Sequence, residues 1–166
     1  ALDGRCFVLT TTLRVLPVIA QALREALTER QMAMDVLVQG TQPRRSLMQQ
    51  FGDGRGRVLV GSHSFWEGID VPGDALQCVL IDKLPFPPPN DPLVEARAKQ
   101  FLQQGKNPFE DYFVNEAAVS LKQGAGRLIR SETDRGLLVV CAPRMAGMNY
   151  GRRLREALPP MTRVAN

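Results

Sequence analysis

Apolar residues in this chain fall into short unbroken runs, separated by stretches where they recur every three or four positions. RCFVLT (5–10), DVLVQG (35–40), RVLVGS (57–62), ALQCVLIDKL (75–84) and RGLLVVCA (135–142) are the unbroken runs. A strand buried on both faces reads this way, and such strands belong to parallel sheets. Between the first two runs, Val15, Ile19, Leu23, Ala26 and Leu27 share one helical face, with Arg14, Arg24 and Glu25 elsewhere. Thr10, Thr11 and Thr12 end the first run and offer a helix cap. A short helix is expected from just after Pro43 to Gly52, and YGRRLREAL (150–158) closes as another. Alternating strands and helices predict one α/β domain over residues 1–166, with a mostly parallel sheet and helices on both faces.

LKQGAGRLIRSE (121–132) belongs to a helix expected to start near Asn115. Each helical residue turns the chain by about 100°. With Gln123 at zero, Gly126, Arg127 and Arg130 fall within roughly 60° of it on one front. Leu121, Ala125, Leu128 and Ile129 form the back, with Ala117 and Ala118 close to the same arc. An amide, two guanidiniums and a glycine gap on one face suit a bulky anion.

One region breaks the rhythm. LPFPPPNDPLVEARAKQFLQQGKNPFEDYF (84–113) opens on a stiff proline cluster and continues as a helix with Asp91 as cap and Pro92 in its first turn. This proline-rich and helical excursion, extending to about residue 118, serves either binding or packing.

In an open parallel sheet, ligands sit beyond the carboxyl ends of the strands. Thr10, Thr11 and Thr12 follow the first strand, and GSHSFWEGID (61–70) ends the third. Ser62, His63 and Ser64 can donate to phosphate oxygens or cap the next turn. Trp66 can stack on a base or anchor the core. Glu67 and Asp70 can orient a nucleotide or a water, or pair with Arg127 and Arg130. His63 is the only histidine and has no evident nucleophile partner, which argues against a catalytic triad.

Composition adds limits. A chain of 166 residues with 44% hydrophobic residues can bury a sizeable core, and no uncharged apolar run is long enough for a membrane. No basic and apolar leader opens it, so no secretory signal is expected. The net charge of +4 leans mildly toward polyanions, and 17 Arg against 4 Lys favours forked phosphate contacts or reflects genome composition. Cys6, Cys78 and Cys141 lie in or beside apolar runs without metal-ligand spacing, which predicts reduced core thiols in a cytoplasmic protein. No G-x-x-x-x-G-K-[ST] loop occurs, and no acidic box follows a strand to hold magnesium. The chain offers arginines for a triphosphate without a cradle, which is half of a site.

SHSFWEGIDVPG (62–73) resembles motif V of superfamily 2 DNA helicases, and QGAGRLIR (123–130) resembles motif VI. With IDKLPFPPPNDPL (81–93) between them, and FVLTTT (7–12) similar to the motif IV region, the chain resembles the DinG/YoaA branch of XPD-like helicases, on the YoaA-like side. The likeness is to the second RecA-like motor domain, motifs IV–VI. It implies that Arg127 and Arg130 reach the γ-phosphate, with Gln123 near the attacking water and Gly126 beside the nucleotide. It implies that Glu67, Gly68 and Asp70 couple nucleotide to DNA, while Thr10, Thr11, Thr12, Ser62, His63, Ser64 and Trp66 contact single-stranded DNA. ATP and Mg2+ would be held mainly by a first motor domain outside this chain, leaving the chain inactive alone. An iron–sulfur cluster is implied for full-length relatives and not for this chain. The implied partners are single-stranded DNA, the first motor domain and the chi subunit of the DNA polymerase III clamp loader. Two other classes of function stay open: a module that docks a replication protein, and a self-contained nucleotide-binding enzyme.

Overall fold

The structure is a computed structural model. It describes residues 4–53, 56–62, 65, 76–129 and 135–164. Two compact units divide the chain, Ala1–Lys83 with Arg127–Cys141 and Leu84–Gly126 with Ala142–Asn166.

The first unit is built on strands β1 (Cys6–Thr10), β2 (Asp35–Val38), β3 (Arg57–Ser62), β4 (Cys78–Ile81) and β5 (Leu137–Val140). They form one sheet in the order β2-β3-β1-β4-β5, and every neighbouring pair is parallel. The parallel sheet expected from the unbroken apolar runs is therefore present, although β4 and β5 are each shorter than their runs.

Side chains alternate across a strand, so Val8 and Phe7 of β1 face opposite ways. Val8 joins Val38, Val58 and Val60 in a cluster covered by Leu16 and Ala20 of helix α1 (Leu16–Glu29). Phe7 meets Phe51 of helix α2 (Arg44–Asp53) edge-on at 6.4 Å. Helices thus cover both faces, as the sequence predicts. Fully buried Phe7, Leu59 and Phe51 each remove a large apolar surface from water, roughly 1.5–3 kcal/mol per side chain.

The entry to α1 departs from expectation. A 3-10 turn over Leu13–Val15 precedes the helix, and Thr12 makes no side-chain cap bond. Thr10 instead donates its hydroxyl to the Thr12 carbonyl at 3.1 Å. The turn re-aims the helix so that Leu16 and Ala20 lie deepest, with Ile19 and Leu23 packed beside them.

The second unit holds the excursion. Asp91 caps helix α3 (Pro92–Gln103), its carboxylate accepting from Leu93 N at 2.8 Å and Val94 N at 3.3 Å. A π-helical turn (Phe109–Phe113) leads into helix α4 (Val114–Gly126). Val114, Ala117, Leu121 and Ala125 are fully buried along it. Short helix α5 (Arg144–Gly147) and helix α6 (Asn149–Glu156) complete the unit.

Helix α4 stops at Gly126, so Arg127 is not on the helix as the motif geometry assumed. Gly124 and Gly126 in the last turn each weaken the helix by about 1 kcal/mol relative to alanine. Arg127 and Leu128 form a turn instead.

All three cysteines carry free thiols, with Cys78 buried and Cys6 half-buried. Cys141 is exposed, contrary to the expectation of a core residue, because it lies past the end of edge strand β5. Among the described residues, no helix is long and apolar enough to cross a membrane.

Candidate functional site

Strand order places β1 at the centre, with β3 on one side and β4 on the other. The chain reverses its direction of growth across the sheet here, and ligands of open α/β sheets bind beyond the carboxyl ends at such a point. Thr10 ends β1 and is the register partner of Ser62, which ends β3. The two hydroxyl residues are buried, at 2% and 5% exposure. Gln39, just past β2, accepts from Ser62 N at 2.7 Å and from Ser62 Oγ at 2.9 Å through its Oε1. The sequence reading missed Gln39; its only signal was a polar residue directly after an apolar run.

Asp82 follows β4, one residue beyond the Leu9–Ile81 pair, and its amide donates to the Leu9 carbonyl at 2.9 Å. Its Oδ2 is buried without a hydrogen-bond partner among the described residues, leaving an acceptor at the strand ends. Cys141 continues β5 to the same level, its amide donating to Ile81 O at 2.8 Å. Burial, and then the Asp82 carboxylate, raise the Cys141 thiol above its ordinary pKa. At the other end of these strands, Cys6 and Cys78 are register partners. The hydrogen bond between them holds the Cys6 thiol far up and lowers that of Cys78.

Thr11 and Thr12 are exposed beyond the buried Thr10. The strand ends therefore divide the expected contact residues: Thr10 and Ser62 are turned into the protein, while Thr11 and Thr12 meet solvent. His63, Ser64, Trp66, Glu67, Gly68, Asp70 and Arg130 lie outside the described residues.

Along α4, Gln123 and Gly126 are exposed, and Leu121, Gly124 and Ala125 are buried. A methyl group added at Gly126 would meet nothing within 4 Å, so nothing in the described packing demands glycine there. Arg127 is half-buried. The next residue, Leu128, is 3% exposed and lies directly over Gly136, where a side chain would collide with its Cγ and Cδ1. That leucine-on-glycine contact fixes the turn carrying Arg127. A greasy back and a polar front persist through 121–128, although the helix ends sooner than the periodicity suggested.

Among the described residues, no group of three or more His, Cys, Asp or Glu side chains is placed to hold a metal ion. Cys141 stands a strand's length from the Cys6–Cys78 pair.

A parallel sheet with helices on both faces and polar residues gathered at the carboxyl ends of its central strands defines a RecA-like α/β domain. Solved structures agree: an XPD helicase superposes with a TM-score of 0.63 at 19% identity, covering 96% of this chain and 28% of that one. A structure of S. tokodaii Xpd4 gives 0.61 at 15% identity over 96% of this chain and 31% of that one. The family model described as "Helicase C-terminal domain" matches residues 1–161, and the chain belongs to that family. The ATP-dependent DNA helicase YoaA of Haemophilus influenzae is 44% identical over 161 residues, 97% of this chain and 24% of that protein. Its namesake in Escherichia coli K12 is 42% identical over 162 residues, 98% and 25%. The ATP-dependent helicase DinG of Mycobacterium tuberculosis H37Rv is 41% identical over 166 residues, 100% and 24%. The chain spans about a quarter of the length of these relatives.

Proposed function

We propose that this chain is the C-terminal motor domain of an ATP-dependent DNA helicase of the DinG/YoaA kind. Arg127 and Arg130 reach the γ-phosphate of ATP held mainly, with its Mg2+, by a first motor domain of the same polypeptide. Gln123 stands near the attacking water and Gly126 leaves room beside the nucleotide. Glu67, Gly68 and Asp70 couple that event to DNA. Thr11 and Thr12, with Ser64, His63 and Trp66, contact the single strand, while buried Thr10 and Ser62 shape the ends of β1 and β3.

The observation that carries this reading is the exposed polar front of α4, with open space at Gly126, in a chain without any phosphate-cradling loop. Arginine supplied from across a cleft is worth roughly 10³–10⁵ in phosphoryl transfer, by stabilising charge on the transferring group. Closure on ATP and reopening after hydrolysis, by a domain that also holds the strand, advance the motor along DNA. Two further features that the motif resemblance implies are proposed for the full-length protein only: an iron–sulfur cluster and 5′ to 3′ movement. Free thiols on all three cysteines agree with a cytoplasmic setting.

The test is strand displacement by the full-length protein with ATP. Duplex unwinding that needs ATP hydrolysis supports the reading; ATP hydrolysis that is indifferent to DNA, with no unwinding, sinks it. The clamp-loader chi subunit is a second proposal, in which residues 150–166 dock a replication protein. Equal recovery of chi with and without those residues clears that segment.

A further inference from the structure

The second unit contains a cavity that uses none of the strand-end residues. Its volume is about 630 Å3, and its lining includes Phe109, Glu110, Arg144, Met148, Asn149 and Tyr150. Phe86 stacks on Phe109 at 5.8 Å, and Tyr150 meets the two rings edge-on at 5.7 and 5.4 Å. Three mutually packed rings make a stiff cluster, of which Phe109 and Tyr150 line the cavity. Phe109 is nevertheless 43% exposed, and Met148 is 50% exposed. Two packed partners hold a large ring open to solvent.

Charge then narrows the ligand. Glu110 is already satisfied by Arg153, whose guanidinium donates to its carboxylate at 2.9 Å and its carbonyl at 3.1 Å. Arg153 also donates to Asn115 Oδ1 at 2.8 Å, which locks it. Arg144, by contrast, has no ion-pair partner among the described residues. The Asn149 side chain likewise has no hydrogen-bond partner among them. An exposed aromatic ring, an uncompensated guanidinium and a free amide are what one nucleotide unit requires: a surface for the base, a cation for the phosphate and a group for the base edge.

We propose that this cavity is a nucleobase-stacking subsite for single-stranded DNA, with Phe109 against the base and Arg144 on the adjoining phosphate. The proposal rests on the reading of the chain as part of a DNA motor and adds a subsite on the second unit. Stacking on an aromatic face is tolerant of sequence, which suits a strand that must slide. A free guanidinium beside the ring favours a phosphodiester repeat over an apolar peptide.

The test measures binding of the full-length protein, without ATP, to labelled oligothymidylate and to an equally long abasic oligomer, by fluorescence anisotropy. Phe109→Leu should weaken oligothymidylate binding about tenfold and leave the abasic oligomer unaffected, since only the first offers bases to stack. Phe109→Tyr keeps the ring and should bind as wild type. Arg144→Gln, at an exposed position, should weaken both oligomers and lower the salt slope by about one. Wild-type affinity in both Phe109→Leu and Arg144→Gln overturns the subsite, as does equal weakening of the two oligomers by Phe109→Leu. Retained oligomer binding with loss of a protein partner also overturns it and makes the cavity a protein site. Wild-type protein that binds neither oligomer removes the DNA-motor reading itself, a failure distinct from the others.

Discussion

Gly136→Ala should disturb the turn that carries Arg127, by a collision that can be worked out atom by atom. Leu128 is 3% exposed and seated over Gly136. An alanine methyl at 136 would overlap Leu128 Cγ and Cδ1 and lie 2.9 Å from Cδ2, closer than such contacts occur. Either Leu128 swings out of its pocket or the backbone on one side moves. Overpacking of this kind costs about 1–3 kcal/mol. At roughly 2–4 °C per kcal/mol for a chain of this size, the melting temperature should fall by about 2–12 °C. Leu128→Ala removes the obstacle but leaves a cavity, itself worth about 2–5 kcal/mol. The double variant should therefore be more stable than the sum of the singles, by about the energy of the collision. Urea melts of the four proteins give the cycle, and ATP turnover in the full-length background reports the displaced arginine. A Gly136→Ala protein that melts like wild type, or a cycle additive within about 0.5 kcal/mol, would refute the reasoning.

Other consequences follow from named contacts. Asp91→Ala should cost about 0.5–2 kcal/mol in denaturant melts, because the Leu93 and Val94 amides lose their acceptor; Asp91→Asn or Asp91→Ser should recover most of it. Cys141 should react with iodoacetamide more slowly at pH 8 than an ordinary exposed thiol, since burial and then Asp82 disfavour its thiolate. Asp82→Asn should speed that reaction by removing the charge; an unchanged or slower rate would deny that Asp82 acts on the thiol.

The sheet was legible because strands buried on both faces read as unbroken apolar runs, although every strand but β3 came out shorter than its run. The Asp91 cap was legible because Asp followed by Pro just before a helical pattern has one local meaning. The entry to α1 was not, because threonines that end a strand can bond their own backbone as readily as cap a helix, and Thr10 does so. The end of α4 was misjudged because side-chain periodicity continues past Gly126 while two glycines end the backbone hydrogen bonding. The buried–exposed division survived that error: Leu128 is still the buried neighbour and Arg127 the half-buried one. The bond from Ser62 to Gln39 and the exposure of Phe109 could not be read from sequence, since each depends on partners far along the chain. Cys141 looked like a core residue because an apolar run does not tell an edge strand from a central one.

Single-turnover ATP hydrolysis by the full-length protein carrying Arg127→Ala, with nucleotide affinity measured in parallel, tests the central claim most directly. A fall of about 10³ or more in the hydrolysis rate, with ATP bound nearly as before, is the expected result. Hydrolysis at the wild-type rate would contradict the assignment of this arginine to the transferring phosphoryl group.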